Sequence, residues 1–584
     1  MGQSGKVGVL YEWVWFLSWG IASSIWCITA AQQLGATFDE PFYVKEGLEF
    51  WRTGSHSELL RLGTMPLPVD VETLPIAILE RWRGVPFDAD ADLERLLPWA
   101  RAGTLVFWWV LLIYGRLAGR ALAGPWGGRL AVAFLASEPC LLANAGLATT
   151  DVAVTGCVLA LVYHFRMERG SGWFRRIGLC ALWFAAAGLA KASGLAFGTL
   201  CLVTVEVERL WRSGAFAVPD GTGLGARIGR VLEQLRPLRR DGFQIIFLGM
   251  VLLFVYCGSD WQQQASFVAW AHGLPDGDLS RSLVWLSEHL CIFRNAGDAL
   301  ARQTSHNVRG HGVYLLGHTD PRAVWYYFPV LLTIKLSLPL LLLPLGLGLI
   351  NRRSLANWAC WAALVLLLFS LTCRVQIGIR LMLPLVAFAI VGLAAAVVEA
   401  YRSLNSVGRR GLATAVVLAI SWTSWCAVGV WPDGLCYTNE LWGGTRQGYL
   451  CASEANYDWG QGLKELEQWR RERDVATLDV WYFGTDPELA RLPMRSVPLH
   501  TMPLESSDEV IEQVRGRRLA VSTTLLYGLI PATPGYRNSL EVLRACQPVD
   551  RTATFLIYDF TLGPDGRPMS LPRSFGEKST AARD

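Results

Sequence analysis

The chain has 584 residues, 52% of them hydrophobic and 17% charged, with mean hydropathy +0.30. This balance excludes an ordinary soluble globule and describes a polytopic membrane protein with sizeable soluble parts. A formal net charge of +4 gives no basic excess of the kind nucleic-acid binding requires, so no nucleic-acid partner is expected.

The first apolar run, 10–31, has the roughly 20 residues a bilayer core demands. No A-x-A-like cleavage site follows it, so it reads as a retained signal anchor. Asp39 and Glu40 come next, where a chain leaving the bilayer first meets water. As a pair they fit either solvated flanking residues or a site close to lipid head groups. Further apolar segments are 102–118, 130–148, 150–166, 177–190, 192–206, 243–257, 325–350, 357–373, 381–400 and 412–431, which makes eleven spans. The Arg-rich loops around Arg116, Arg166, Arg209, Arg352 and Arg402 alternate with Arg-poor ones. Short basic loops stay inside, so the N-terminus is expected inside and the C-terminus outside. Lys191 fits the outer turn between two short spans, because Arg175 and Arg209 then lie on the same side.

This leaves external loops 32–101 and 258–324 in a membrane domain 1–431, and an external C-terminal domain 432–584. In the latter, 463–473 has the period of an amphipathic helix, and 478–483, 518–523 and 554–560 read as strands, together a small α/β domain. The basic stretch 212–241 reads as a cytoplasmic linker and the tail from about Arg567 as loose. The 13 Cys show no C-x-x-C spacing, which argues against a dense disulfide framework; pairing of Cys436 with Cys451 stays open.

Charges in or beside apolar segments are costly unless they meet a partner or a cavity. Glu138, Asp151, Lys191, Lys335, Arg374 and Arg380 stand at such positions. All but Glu138 fall toward the outer face, as does the Asp39-Glu40 pair, which suggests a pocket that both accepts a proton and holds an anion. Snorkelling to the head groups is the alternative for the Arg residues. His272, His289, His306, His311 and His318 share the second external loop without zinc-motif spacing; no metal ligand is assigned, and a divalent metal stays open.

Several stretches, taken in order, resemble a known group. FDEPFYVKEGLEFWRTG (38–54) is similar to a first-loop Asp-Glu motif, MPLPVD (65–70) to the Pro-rich segment after it, and LATTDVAV (147–154) to a second acidic motif. GLAKASG (188–194), GVYLLGHTDPRAVWYYFPVLLTIKLSLP (312–339), GIRLMLP (378–384) and NYDWGQGLKELEQW (456–469) are similar to later blocks. The chain resembles the GT-C glycosyltransferases that use polyprenyl-phosphate sugars, including the protein mannosyltransferases and the aminoarabinose transferase of lipid A. It departs from relatives at Thr64-Met65 and at Leu381, where a His is common.

The resemblance implies a mainly α, polytopic GT-C architecture with about 11 transmembrane helices, and an inverting transfer of a sugar from a lipid phosphate to an acceptor hydroxyl or phosphate. Asp39 is then the general base, with Glu40 and Asp151 beside it as catalytic carboxylates. Tyr43, Lys191, Tyr326, Tyr327, Lys335 and Arg380 are the substrate-binding candidates. The implied partners are the donor lipid, the membrane, and a protein, glycolipid or polysaccharide acceptor; the implied place is a bacterial inner membrane with the site and C-terminus extracytoplasmic. A polar-lipid transporter or flippase, and a non-catalytic prenyl-phosphate-binding homologue, are the competing readings. Asn456 or Asp458 is expected to cap the helix that follows.

Overall fold

A computed structural model describes residues 3–214, 224–259, 261–291, 294–561 and 569–570. Part of the expected linker and most of the expected loose tail lie outside them. The chain is mainly helical, and each expected apolar segment carries a helix. Five helices are individually long and apolar enough to cross a membrane: Leu10–Gln33, Leu93–Ala123, Arg236–Cys257, Ile379–Ser403 and Ser406–Gly429. Tyr327–Lys335 and Leu338–Leu355, bent by 107°, make a sixth if counted as one span. The other expected spans are shorter or interrupted helices.

The interruptions have local causes. Pro139 follows Glu138 and ends the helix Pro125–Ser137, because proline cannot continue the hydrogen-bond ladder. The break frees the Glu138 carboxylate, which accepts from Ser337 N at 3.1 Å and Ser337 Oγ at 2.7 Å and so joins two helices. At Lys191 the backbone turns extended (φ −162°, ψ 138°), separating Leu179–Ala190 from Ser193–Arg212. Gly194 makes this sharp turn possible, since a Cβ there would run into the Ala187 carbonyl. Lys191 therefore stands at a helix–helix turn, as its flanking arginines implied.

The first loop folds into the helices Glu40–Thr53, Ser57–Arg61 and Pro66–Arg83. The second holds Ala265–His272, Asp278–His289 and Arg294–Arg309, then an antiparallel hairpin of Val313–Leu315 with His318–Asp320. The C-terminal region begins with short 3-10 turns and continues into the helix Leu463–Glu472 and a five-stranded sheet. Its strand order is Met494–Ser496, Leu478–Trp481, Arg518–Ser522, Phe555–Asp559, Asp550–Arg551. The first three run parallel and the last two pair antiparallel. The two outer strands, of three and two residues, are too short for a sequence period to reveal.

There are two main cores. One fills the helical bundle around Ile379–Ser403 and is rich in Ala, a small residue that lets membrane helices approach closely. The other lies on the sheet, around Trp481, Val510, Leu540 and Tyr558. A strap, residues 35–38, sews them together. Gly35 N donates to Gln461 O and Phe38 N to Trp459 O, both at 2.8 Å. Thr485 Oγ1 donates to Phe38 O at 2.6 Å, and the Phe38 ring stacks on Phe483 at 5.4 Å.

Candidate active site

Asp39 stands where that strap gives way to the first-loop helix, whose N-terminal end it caps in backbone geometry. Asp151 opens the helix Asp151–Met167, directly after the tight turn at 146–150. Lys191 comes from the turn described above, and Arg380 from a 3-10 turn, Ile379–Met382, that starts the most enclosed span. These four side chains, far apart in sequence, meet. Arg380 Nη1 lies 3.2 Å from Asp39 Oδ2 and 3.6 Å from Asp151 Oδ2. Lys191 Nζ donates to Asp151 Oδ1 at 2.5 Å. Two carboxylates and two cations sum to no net charge, which lets such a group persist in a low-dielectric place.

Exposure separates the two acids. The Asp39 side chain keeps 27% of its surface, while that of Asp151 keeps none. Asp39 is the one a second molecule can reach. Trp459 covers the Arg380 guanidinium face at 4.0 Å, a cation–π contact that holds the planar group in place. Tyr43 is buried beside Asp39, and burial, with Asp39 adding to it, pushes its phenol well above the usual range. It stays protonated and can donate a hydrogen bond.

Glu40 does not face this group. It is fully buried and bound on both oxygens to Arg101, at 2.8 and 2.7 Å. It also accepts from Thr37 N and Ala148 N, each at 2.8 Å. Arg101 spends its remaining donors on the carbonyls of Ala31, Leu34 and Gly35. With its lone pairs occupied, Glu40 pins the strap and the turn before Asp151. It thereby holds the chain on which Asp39 and Asp151 stand.

Lys335 is likewise turned elsewhere. Its ammonium has three protons, and the carbonyls of Leu435, Tyr437 and Asn456 accept them. It staples the bent span to the C-terminal region. Tyr327 is buried with its hydroxyl accepting from Asn456 Nδ2 at 3.0 Å, and Tyr326 is partly exposed beside Trp325. Arg374 ties the second loop, donating to Val308 O at 3.2 Å.

Asn456 and Asp458 do not cap the helix Leu463–Glu472, whose first turn has no side-chain cap. Asn456 accepts from Ile379 N at 2.9 Å, next to Arg380. Asp458 accepts from Thr524 N at 3.1 Å and Gly460 N at 3.2 Å. The segment before Trp459 is thus a brace between Arg380 and the sheet. Sequence reasoning missed Arg101 and the packing role of Trp459. Arg101 carried a signal, an Arg at the rim of an apolar run, but it read as the last loop residue.

The histidines of the second loop spread out. His272 pairs with Glu288 at 2.9 Å, His289 with the Trp285 carbonyl at 2.8 Å, and the His306 and His311 rings stand 6.2 Å apart. Among the described residues no group of three or more His, Cys, Asp or Glu is placed to hold a metal ion. The cysteines are free, Cys436 and Cys451 included.

No protein-family model and no curated protein matches the chain. Among solved structures it is similar to ArnT from Cupriavidus metallidurans bound to undecaprenyl phosphate, at 14% identity over 95% of this chain and 98% of that one, TM-score 0.43. It is also similar to the archaeal oligosaccharyltransferase AglB from Archaeoglobus fulgidus in complex with an inhibitory peptide and a dolichol-phosphate, at 12% identity over 93% and 74%, TM-score 0.44. A further likeness is to the arabinofuranosyltransferase AftD from Mycobacteria, at 12% identity over 93% and 37%, TM-score 0.37. All three likenesses lie at 12–14% identity and TM-scores of 0.37–0.44.

Proposed function

We propose that this protein is an inverting membrane glycosyltransferase that moves a sugar from a polyprenyl-phosphate donor to an acceptor at the outer face of a bacterial inner membrane. The observation that carries the reading is the bridge from Arg380 to both Asp39 and Asp151, with Lys191 on the second acid. Asp39, the reachable carboxylate, takes the proton of the acceptor hydroxyl. The acceptor oxygen bonds the anomeric carbon as that carbon's bond to the phosphate oxygen breaks, and the electron pair leaves on the phosphate. Lys191 and Arg380 stabilise the charge that develops there, a large term where the groups are already fixed. Asp151 orients both cations, Tyr43 offers a hydrogen-bond donor, and Glu40 with Arg101 fixes the strap from which Asp39 projects.

A hexosyl or mannosyl donor, and a protein, glycolipid or polysaccharide acceptor, are compatible with this arrangement. The prenyl tail stays in lipid among the spans, about eleven in number on this reading, while phosphate and sugar enter. In this reading the C-terminal domain is external. A cysteine at the exposed position Asp508 would then react with an impermeant maleimide on intact cells. Labelling only after permeabilisation would reverse the orientation. The chemical test is Asp39→Asn in membranes supplied with the native lipid pool: transfer of labelled sugar should vanish while the protein stays inserted. Near-normal transfer would sink the assignment.

A further inference from the structure

The helix Asp151–Met167 begins at the candidate active site, and its length carries it about 25 Å away. The helix Ser193–Arg212 leaves the Lys191 turn and runs about 30 Å, close to the thickness of a bilayer core. Their far ends meet. Arg166 stands in the last turn of the first helix and Arg169 just beyond it, while Glu206, Glu208, Arg209 and Arg212 close the second. Both glutamates are buried. Arg166 Nη2 lies 3.5 Å from Glu208 Oε2, and Arg212 contacts the other oxygen. Arg209 forks onto Glu206 at 3.0 and 2.9 Å, and Arg169 contacts that carboxylate too.

One arginine would neutralise each buried glutamate; here each has two. Four guanidiniums against two carboxylates leave two positive charges in surplus. Adding Glu168, Arg175 and the pair of Arg176 with Asp241 at the same helix ends leaves that surplus unchanged. A cavity of about 260 Å³ opens here, lined by the charged Arg166, Glu208 and Arg212 and by the apolar Leu122, Met167 and Trp358. Among the described residues Arg166 makes no hydrogen bond beyond the one to Glu208, so two of its nitrogens are left over. Arg212 keeps 52% of its side-chain surface. Met167 and Trp211 are exposed beside the cavity, as apolar and Trp side chains are at a bilayer interface.

We propose that this cavity binds the head group of an anionic phospholipid, at the membrane face opposite the candidate active site. Arginines that merely snorkel reach outward to water. These are instead turned onto buried glutamates, which fix them while leaving donors over. A guanidinium held in this way offers a preset fork to phosphate oxygens, and the phosphodiester takes up the surplus charge. Basic pockets between membrane helices suit such head groups. The acyl chains then run along the exposed apolar side chains at the rim, Met167 and Trp211. A free phosphate ion gains nothing from that rim, so lipid is the source that the surroundings favour. The site does not depend on sugar transfer at Asp39.

Purified full-length protein in a non-ionic detergent, titrated with phosphatidylglycerol or with phosphatidylcholine and read by native mass spectrometry, tests this. Phosphatidylglycerol should bind at least about tenfold more tightly, because only it brings a net negative charge to the arginines. Arg166→Gln and Arg212→Gln each leave Glu208 paired with the other arginine, so both variants should fold. Each should weaken phosphatidylglycerol binding roughly fivefold. Arg410 stands at the same face, near the turn that Arg402 ties to Ala123 O at 2.9 Å, but does not line the cavity. Arg410→Gln should leave affinity unchanged, and excess inorganic phosphate should not displace the lipid. Equal binding of the two lipids, or unchanged affinity in either cavity variant, would overturn the proposal. So would a comparable loss in Arg410→Gln, which means diffuse attraction, or displacement by inorganic phosphate, which means a site for the free ion.

Discussion

Arg380 Nη1 stands 3.2 Å from Asp39 Oδ2 across 341 residues of chain. That single contact joins the first-loop motif to the start of the most enclosed span. It sets the expected behaviour of the site.

Removing the charge of Asp39 should abolish catalysis without unfolding the protein. A positioned base contributes about 10²- to 10⁴-fold, so Asp39→Asn should lower the transfer rate by at least about a hundredfold. The melting temperature in detergent should change little, because Asp39 is the partly exposed partner of its ion pair. A rate within tenfold of the parent would exclude the base role.

Arg380→Lys should be a poor replacement. Lysine keeps the charge but loses the fork and the planar face that rests on Trp459 at 4.0 Å. Charge-assisted hydrogen bonds contribute about 1.5–3 kcal/mol, so undecaprenyl phosphate should bind roughly ten- to a hundredfold more weakly. Titration of the variant measures this directly; unchanged affinity would place the phosphate elsewhere.

Glu40 and Lys335 should report as stability residues. Breaking a buried pair leaves an unpaired charge and costs about 3–5 kcal/mol, so Glu40→Ala should unfold or fail to insert. Lys335→Met strands the carbonyls of Leu435, Tyr437 and Asn456. Its melting point should drop, yet the fraction that remains folded should bind undecaprenyl phosphate as the parent does. Selective loss of lipid affinity with an unchanged melting point would restore Lys335 to the site.

The brace at Asp458 should make stability pH-dependent. Burial raises this carboxyl from its ordinary value near 3.8 to about 7. The folded state thus binds the proton more tightly than the unfolded chain. The resulting stability is fully present below pH 3.8 and is lost as pH rises through 7, at up to about 1.4 kcal/mol per pH unit. Asp458→Asn, which stays neutral, should therefore gain on the parent between pH 5 and pH 8. A melting-temperature difference that stays flat over this range would contradict the shift.

Much of the bundle was legible because apolar runs and basic loops report on solvation, and each segment carries a helix. The turn at Lys191 was legible for the same reason: arginines at both ends of the 177–206 stretch called for a reversal within it. The fate of Lys335 was not. A charge in an apolar run announces that it needs partners, but not whether these are a substrate or three carbonyls of a distant turn. Glu40 shows the same limit, since its partner Arg101 lies 61 residues further on.

The strap at 35–38 has one more consequence. Its backbone is knitted to Trp459 and Gln461, so the water-exposed module and the membrane half share the peptide unit from which Asp39 projects. Neither half can be exchanged by itself: grafting a foreign C-terminal module onto this bundle would displace the acid, and activity would return only when the matching first loop is transplanted too.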